Sequence, residues 1–292
     1  MALLASEDKV YERWYHKYIR SILKSGPIPE HVAFIMDGNR RFAKSKNLKT
    51  LQGHTEGFSK LGYVLKWCQE LGVKQVSCFA FSLENFKRSD QEVNDLMNLA
   101  RDKFKEILER KDKLDKYGVC IRFVGDLKRL PDDLQQVINQ LHLQTKSNNK
   151  CYLNVCVAYT SRFEMMEGIK LLAKGVQNNQ IMSSDIDEYL FSKSLKISKV
   201  DLLVRTSGEI RLSDFLMWQN SFSLFSFVKN NWPDLSTWNF YLAILLYQKA
   251  YKSKTLLEKK YLTTTSDQIL SESEKEKKKQ RVNNFLSNLN QQ

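Results

Sequence analysis

His31-Val32-Ala33-Phe34-Ile35-Met36-Asp37-Gly38-Asn39-Arg40-Arg41 is the stretch that decides the fold of this chain. Its apolar residues run consecutively rather than alternating, as in a strand covered on both faces inside a parallel sheet. A carboxylate closes the run, a glycine and an asparagine turn the chain, and two arginines follow. Working outward, similar short apolar runs recur at Val76–Phe81, Val119–Val124, Leu153–Ala158, Asp201–Val204 and Phe222–Val228. Between them lie longer helical patterns at Thr55–Leu71, Ser89–Tyr117, Pro131–Thr145, Arg162–Gln177 and Ser184–Leu195. The alternation predicts an α/β fold with a mostly parallel central sheet of about six strands flanked by helices. Ligands of such sheets sit beyond the strand C-terminal ends. Asp37, Ser82, Gly125-Asp126, Tyr159-Thr160 and Arg205-Thr206 all fall there, so distant residues are expected to share one mouth.

The ends of the chain read differently. Val10, Trp14, Tyr15, Tyr18, Ile19, Ile22 and Leu23 recur near helical spacing with basic residues between them, and Gly26-Pro27 ends the pattern. Residues 1–26 are therefore expected to form an amphipathic helix that docks on its own protein or lies on an anionic surface. Residues 27–262 carry the strand–helix alternation of one α/β domain, where any catalytic residues are expected. Ser236 or Thr237 caps a helix expected to run through Tyr247. Residues 263–292 read as a polar, solvated tail with a weak helix near Val282–Leu289.

Composition narrows the function. With 46 Lys and Arg against 33 Asp and Glu, the chain carries a formal charge of +13, which attracts polyanions without choosing among nucleic acid, anionic lipid and small phosphorylated substrates. A nucleic-acid reader needs stacking aromatics in a groove or a recognition helix, and no such signature is present. The five cysteines include no Cys-x-x-Cys pair and there are four histidines, so the spacing speaks for buried free thiols and against a zinc site. There is no Walker motif and no GxGxxG. No apolar run reaches the length of a membrane span, and residues 1–7 lack the features of a signal peptide.

Three clusters carry chemistry. Asp37 at the end of a buried strand needs compensation from the arginines, a divalent cation or a helix N-terminus, and Mg2+ takes hard oxygen ligands. Gly38, Asn39, Arg40 and Arg41 then offer backbone N–H groups and guanidiniums to an anion, and His54 stands near enough in sequence to join them. In the second cluster Ser82 and Asn85 either bond a diphosphate or water, or simply cap a turn; Arg88 neutralises charge there. In the third, Gly208 permits a turn that brings Arg205, Arg211 and Ser213 to one ligand, while surface salt bridging is the plainer alternative. Glu209 pairs with an arginine or joins a metal shell.

The runs HVAFIMDGNRRFAK, FAFSLENFKRS, VCIRFVGD, LNVCVAYTSR and LLVRTSGEIRLSDFLMWQ resemble the undecaprenyl diphosphate synthase-like, or cis-prenyltransferase, family, and within it the catalytic subunits of eukaryotic dehydrodolichyl diphosphate synthases. The resemblance implies repeated condensation of isopentenyl diphosphate onto an allylic primer such as farnesyl diphosphate, forming Z double bonds, with Mg2+ as cofactor. It implies that Asp37 positions Mg2+ and the diphosphates, that Gly38, Asn39, Arg41, His54 and Arg88 surround the allylic diphosphate, that Asn85 serves the condensation with Ser82, and that Arg205, Arg211 and Ser213 hold isopentenyl diphosphate. Leu96, Leu99, Ala100 and Phe104 are expected along a product tunnel. Three departures stand out. Leu224 occupies the place of a metal-holding glutamate of bacterial homodimers, the C-terminal Arg-x-Gly element is absent, and Thr50 replaces a phosphate-binding arginine for which Lys46 or Lys49 compensates. The first two imply a heteromer in which a Nogo-B receptor-like subunit supplies the missing element, with self-association a further possibility. The product implies peripheral residence on the cytosolic face of the endoplasmic reticulum. A non-catalytic scaffold subunit of such a complex is the competing reading.

Overall fold

The computed structural model describes residues 14–264 and 272–289; Val10 lies outside them. Six strands, β1 (His31–Ile35), β2 (Gln75–Ser82), β3 (Val119–Val124), β4 (Cys151–Tyr159), β5 (Leu202–Arg205) and β6 (Leu224–Phe227), form one sheet in the order β3-β4-β2-β1-β5-β6. All five pairings are parallel. The helices are α1 (Trp14–Lys24), α2 (Asn39–Ser45), α3 (Thr50–Leu71), α4 (Asp90–Leu108), α5 (Lys111–Tyr117), α6 (Asp132–Thr145), α7 (Ser161–Gln177), α8 (Glu188–Ser194), α9 (Thr237–Thr264) and α10 (Glu272–Leu289).

Every residue of β1 is buried. Val32 and Phe34 join a cluster with residues of α3, α4, α6 and α9, and Ala33 and Ile35 join a second one around Tyr159, Leu203 and Phe215. This is the two-sided burial that an unbroken apolar strand requires. From β1 the chain builds β2, β3 and β4 on one side and then crosses to β5 and β6 on the other. The order therefore reverses beside β1, which opens a crevice at the C-terminal ends of β1, β2 and β5.

Some boundaries differ from the sequence expectation. The long pattern over Ser89–Tyr117 is two helices, broken at Glu109-Arg110, and the second one buries Leu114 completely. Helix α3 begins at Thr50, held by Gln52 accepting from the Lys49 backbone at 2.9 Å. Thr55, where the sequence pattern began, is already inside the helix, its hydroxyl donating back to Leu51 O at 3.1 Å. Ser236 does cap α9, accepting from Asn239 N at 3.1 Å, but the helix runs on well past Tyr247 to Thr264.

The described part of the tail is a helix that is exposed on most of its surface but docks on the body along one face. Helix α10 buries Val282 and Phe285 against Leu172, Ile181 and Leu190. Arg281 donates to both carboxylate oxygens of Asp185, at 2.9 and 2.7 Å, and Lys278 to Asp187 at 2.8 Å. At the other end α1 docks on its own chain. Leu23 is buried, Tyr15 stacks on Trp238 with ring centroids 5.9 Å apart, and Gln248 donates to Leu23 O at 2.6 Å. Trp14, Tyr18 and Ile22 stay exposed on its outer face.

Candidate active site

All twelve residues singled out by sequence, Asp37, Gly38, Asn39, Arg40, Arg41, His54, Ser82, Asn85, Arg88, Arg205, Arg211 and Ser213, line one cavity of about 1030 Å³ at the crevice. That volume is at the upper end for small-molecule pockets. Its mouth is charged. Its deep wall is apolar, made of Phe58 and Leu61 from α3, Leu96, Leu99, Ala100 and Phe104 from α4, and Leu153, Val155 and Val157 from β4.

The mouth is organised around one contact. Arg205, whose side chain is 3% exposed, donates from Nη2 to Asp37 Oδ2 at 2.9 Å and from Nη1 to Ser213 Oγ at 2.8 Å and Arg211 O at 2.5 Å. The pairing of β1 with β5 places Ile35 opposite Arg205, so residues remote in sequence leave adjacent strands side by side. Arg41 approaches Asp37 Oδ1 at 3.5 Å and donates to Ser207 O at 3.1 Å. The turn after Arg205 is held in left-handed conformations at Ser207, Gly208, Ser213 and Asp214. Three of these are not glycine, so the loop stores backbone strain beside the ligand groups. Gly38 has φ +101°, and a Cβ there would lie 2.5 Å from Asn231 Oδ1. Only glycine fits this close approach.

Gly38, not Asp37 or Asn39, is the N-cap of α2, and it makes no side-chain cap. The carboxylate of Asp37 is thus left to the arginines, 29% exposed at the cavity mouth. Ser82 and Asn85 bond each other's turn. Ser82 Oγ accepts from Glu84 N at 3.1 Å and Asn85 Oδ1 accepts from Ser82 N at 3.0 Å, which leaves the Asn85 amide NH2 for a ligand. The turn follows irregular pairing of β2 with β4 around Ala80, of the kind that re-aims a strand end.

His54 lies within α3, not before its start, and its Nε2 is buried without a partner. Burial first, then the guanidinium of Arg88, presses its pKa down to about 4, with Glu92 opposing and Arg40 adding to the depression. The imidazole is neutral at neutral pH, with an open nitrogen facing an anion site.

Several sequence expectations fail. Gly125-Asp126 and Tyr159-Thr160 do not reach the cavity. Strand β3 lies beyond β4, away from the reversal point, and Asp126 pairs with Arg129 at 3.2 Å. Strand β4 reaches the cavity as far as Val157, but past Ala158 (φ +48°) Tyr159 joins the cluster around Phe215 and its hydroxyl is buried on Glu164 at 2.5 Å. Lys46 and Lys49 do not line the cavity, whereas Lys44 does, one turn of α2 beyond Arg40. Lys103, Asp214 and Trp232 also line it and were not anticipated. Trp232 could have been found from its neighbouring proline, which fixes a turn packed against the site; its indole donates to Gly57 O at 2.7 Å.

Among the described residues no three His, Cys, Asp or Glu side chains cluster as a metal cage. Mg2+ is commonly held by one or two carboxylates together with substrate phosphates. Asp37, a hard oxygen donor beside an anion-binding mouth, fits that pattern.

Comparison with known proteins is decisive for the family. A family model described as "Putative undecaprenyl diphosphate synthase" matches residues 35–254. The dehydrodolichyl diphosphate synthase complex subunit of Homo sapiens is 50% identical over 237 residues, 80% of this chain and 71% of that protein. The chain belongs to the cis-prenyltransferase family.

As a cis-prenyltransferase it is an enzyme of the transferase class, with the condensation activity that builds long-chain polyprenyl diphosphates. The corresponding complex subunit of Schizosaccharomyces pombe is 45% identical over 77% of this chain and 87% of its own length. Among solved structures, lavandulyl diphosphate synthase from Lavandula x intermedia, in complex with dimethylallyl diphosphate, superimposes with a TM-score of 0.71 at 31% identity, covering 76% of this chain and 95% of that one. A probable undecaprenyl diphosphate synthase from Campylobacter jejuni gives 0.63 at 28% identity over the same shares.

Proposed function

We propose that this cis-prenyltransferase condenses isopentenyl diphosphate successively onto farnesyl diphosphate to give a dehydrodolichyl diphosphate, with Mg2+ held by Asp37 and the substrate phosphates. The observation that carries the proposal is the buried Arg205 joining Asp37 to Ser213 at the mouth of a long apolar cavity. In this reading Arg41, Arg88 and neutral His54, with Gly38, Asn39 and Arg40, take the allylic diphosphate, and its prenyl tail enters the cavity beside Phe58 and Ala100. Arg205, Arg211 and Ser213 hold the second diphosphate, which sets its double bond against C1 of the primer.

The guanidiniums stabilise charge on the departing diphosphate while the C1–O bond breaks toward an allylic cation. Bound Mg2+ supplies further neutralisation of that charge. The second substrate's double bond closes on C1, and a proton then leaves its C2. Asn85, its Oδ1 committed to the Ser82 backbone, directs its NH2 to a diphosphate oxygen or water that receives this proton. The apolar wall excludes bulk water from the cation.

The human relative's name makes it a subunit of a complex, and the same is proposed here, with a Nogo-B receptor-like partner. Leu224, half-buried, stands outside the cavity where bacterial members place a glutamate. Trp238, Leu242 and Leu245 leave an apolar stripe of α9 exposed, and Phe225 is separately exposed on edge strand β6; both support such a partner. No helix among the described residues is long and apolar enough to cross a membrane; peripheral residence on the cytosolic face of the endoplasmic reticulum is proposed from the lipid nature of the product. The test incubates farnesyl diphosphate, labelled isopentenyl diphosphate and Mg2+ with the chain, with and without the partner. Labelled polyprenyl product that disappears in Asp37→Ala supports the reading, and equal product from Asp37→Ala assigns this chain a scaffold role.

A further inference from the structure

Four of the arginines at the mouth are held by two carboxylates that do not themselves line the cavity. Glu92, on the first turn of α4, divides its oxygens: Oε1 accepts from Arg88 Nη1 at 2.7 Å and Oε2 lies 3.8 Å from Arg40 Nη1. Glu209, in the loop after β5, does the same, with Oε1 3.2 Å from Arg41 Nη2 and Oε2 accepting from Arg211 Nη1. Arg40 and Arg41 are neighbours on α2, where successive side chains point about 100° apart. Each is therefore drawn toward a different wall and tied there to a second arginine from that wall.

Arg40, Arg41 and Arg211 have side chains more than half exposed, whereas both glutamates are mostly covered. Untethered guanidiniums of this exposure sample many rotamers, and that freedom is lost when a ligand arrives. A guanidinium has five N–H donors. A carboxylate behind it engages one or two and leaves the rest for the cavity.

We propose that Glu92 and Glu209 are positioning residues that set the guanidiniums of the two diphosphate sites before substrate binds. Glu92 presets the allylic site through Arg40 and Arg88. Glu209 spans both sites, because Arg41 faces the allylic diphosphate and Arg211 the other one. The assignment of the two sites rests on the proposed function; the clips themselves rest on the geometry.

The test titrates the chain with its proposed partner subunit calorimetrically, with Mg2+ present, using the unreactive farnesyl and isopentenyl thiolodiphosphates. Glu92→Gln is expected to weaken the farnesyl analogue about tenfold and leave the isopentenyl analogue within about twofold. Glu209→Gln is expected to weaken both about tenfold. Glu92→Asp and Glu209→Asp keep the charge but shorten the reach, and the same pattern of losses is expected from them. If the glutamates only neutralise charge, the Asp forms bind like wild type and the Gln forms bind more tightly, which overturns the proposal. So does an equal loss of both analogues in the Glu92 variants. Melting temperatures identify any variant that fails to fold, and the Asp form then carries the test. Wild-type complex that binds neither analogue refutes the reading of the site; wild-type binding with indifferent variants refutes the clips alone.

Discussion

Arg205→Met removes the guanidinium that joins the two halves of the mouth. Its side chain is 3% exposed and that of Asp37 29%. Loss of one member of a buried pair costs about 3–5 kcal/mol. Solvent at Asp37, and Arg41 still 3.5 Å from it, argue for the low end, about 3 kcal/mol, including the stranded Ser213 hydroxyl and Arg211 carbonyl. In a chain of this size that corresponds to a fall in Tm of roughly 5–10 °C. Asp37→Ala leaves a guanidinium with two of its three acceptors and should cost less. The double variant Asp37→Ala/Arg205→Met should be more stable than the sum of the singles predicts, by about 2 kcal/mol of coupling. Urea midpoints of the four proteins give the cycle. Additivity within about 0.5 kcal/mol would mean that the two residues do not form the bridge on which the site is built.

Three further outcomes are expected. Burial, opposed by the Lys199 carbonyl and Asp201, lowers the pKa of His31 from 6.5 to about 4. The unfolded chain therefore binds more protons in that window, and stability falls as pH drops from about 6.5 toward 4, by about 3 kcal/mol for a group this buried. Nδ1 faces Lys199 O at 2.8 Å and so carries the proton, leaving Nε2 to accept from Ser77 at 2.7 Å. His31→Asn should flatten the difference between urea midpoints at about pH 7.5 and about pH 4.5, leaving the share due to His54; an unchanged slope contradicts this. Phe285→Ala should raise hydrogen exchange across residues 272–289 while the sheet stays protected, and uniform exchange would deny that α10 docks as a separate unit. Ala100→Phe narrows the apolar cavity, so product chains should shorten by chromatography while the first condensation keeps its rate; products of unchanged length would place the growing chain elsewhere.

The sheet was legible because five of its strands carry apolar residues in succession, and β3 matches its expected limits residue for residue. The cavity mouth was legible for the same reason: once the strands are parallel, Asp37, Ser82 and Arg205 must lie at one end. Which strand ends meet was not legible. It depends on strand order, and β3 and β4 were set beside the crevice only by analogy with their neighbours. The break at Glu109-Arg110 carries neither glycine nor proline, so nothing local marks it. The seat of α10 is invisible because only Val282 and Phe285 are deeply buried in a charged helix, and the hollow that takes the Phe285 ring is made by Gly175, where a Cβ would lie 2.6 Å from that ring. Sequence offered both catalytic use and capping for Ser82 and Asn85. The structure has them making the cap while lining the cavity.

The central claim is that one mouth holds two diphosphates at once, and simultaneous binding tests it most directly. The chain with its proposed partner subunit, saturated with farnesyl thiolodiphosphate in Mg2+, should still take up one equivalent of isopentenyl diphosphate in a calorimetric titration, and Arg205→Met should abolish that second event while retaining the first. If the two ligands compete for a single site, or if Arg205→Met loses the primer analogue instead, the account is wrong.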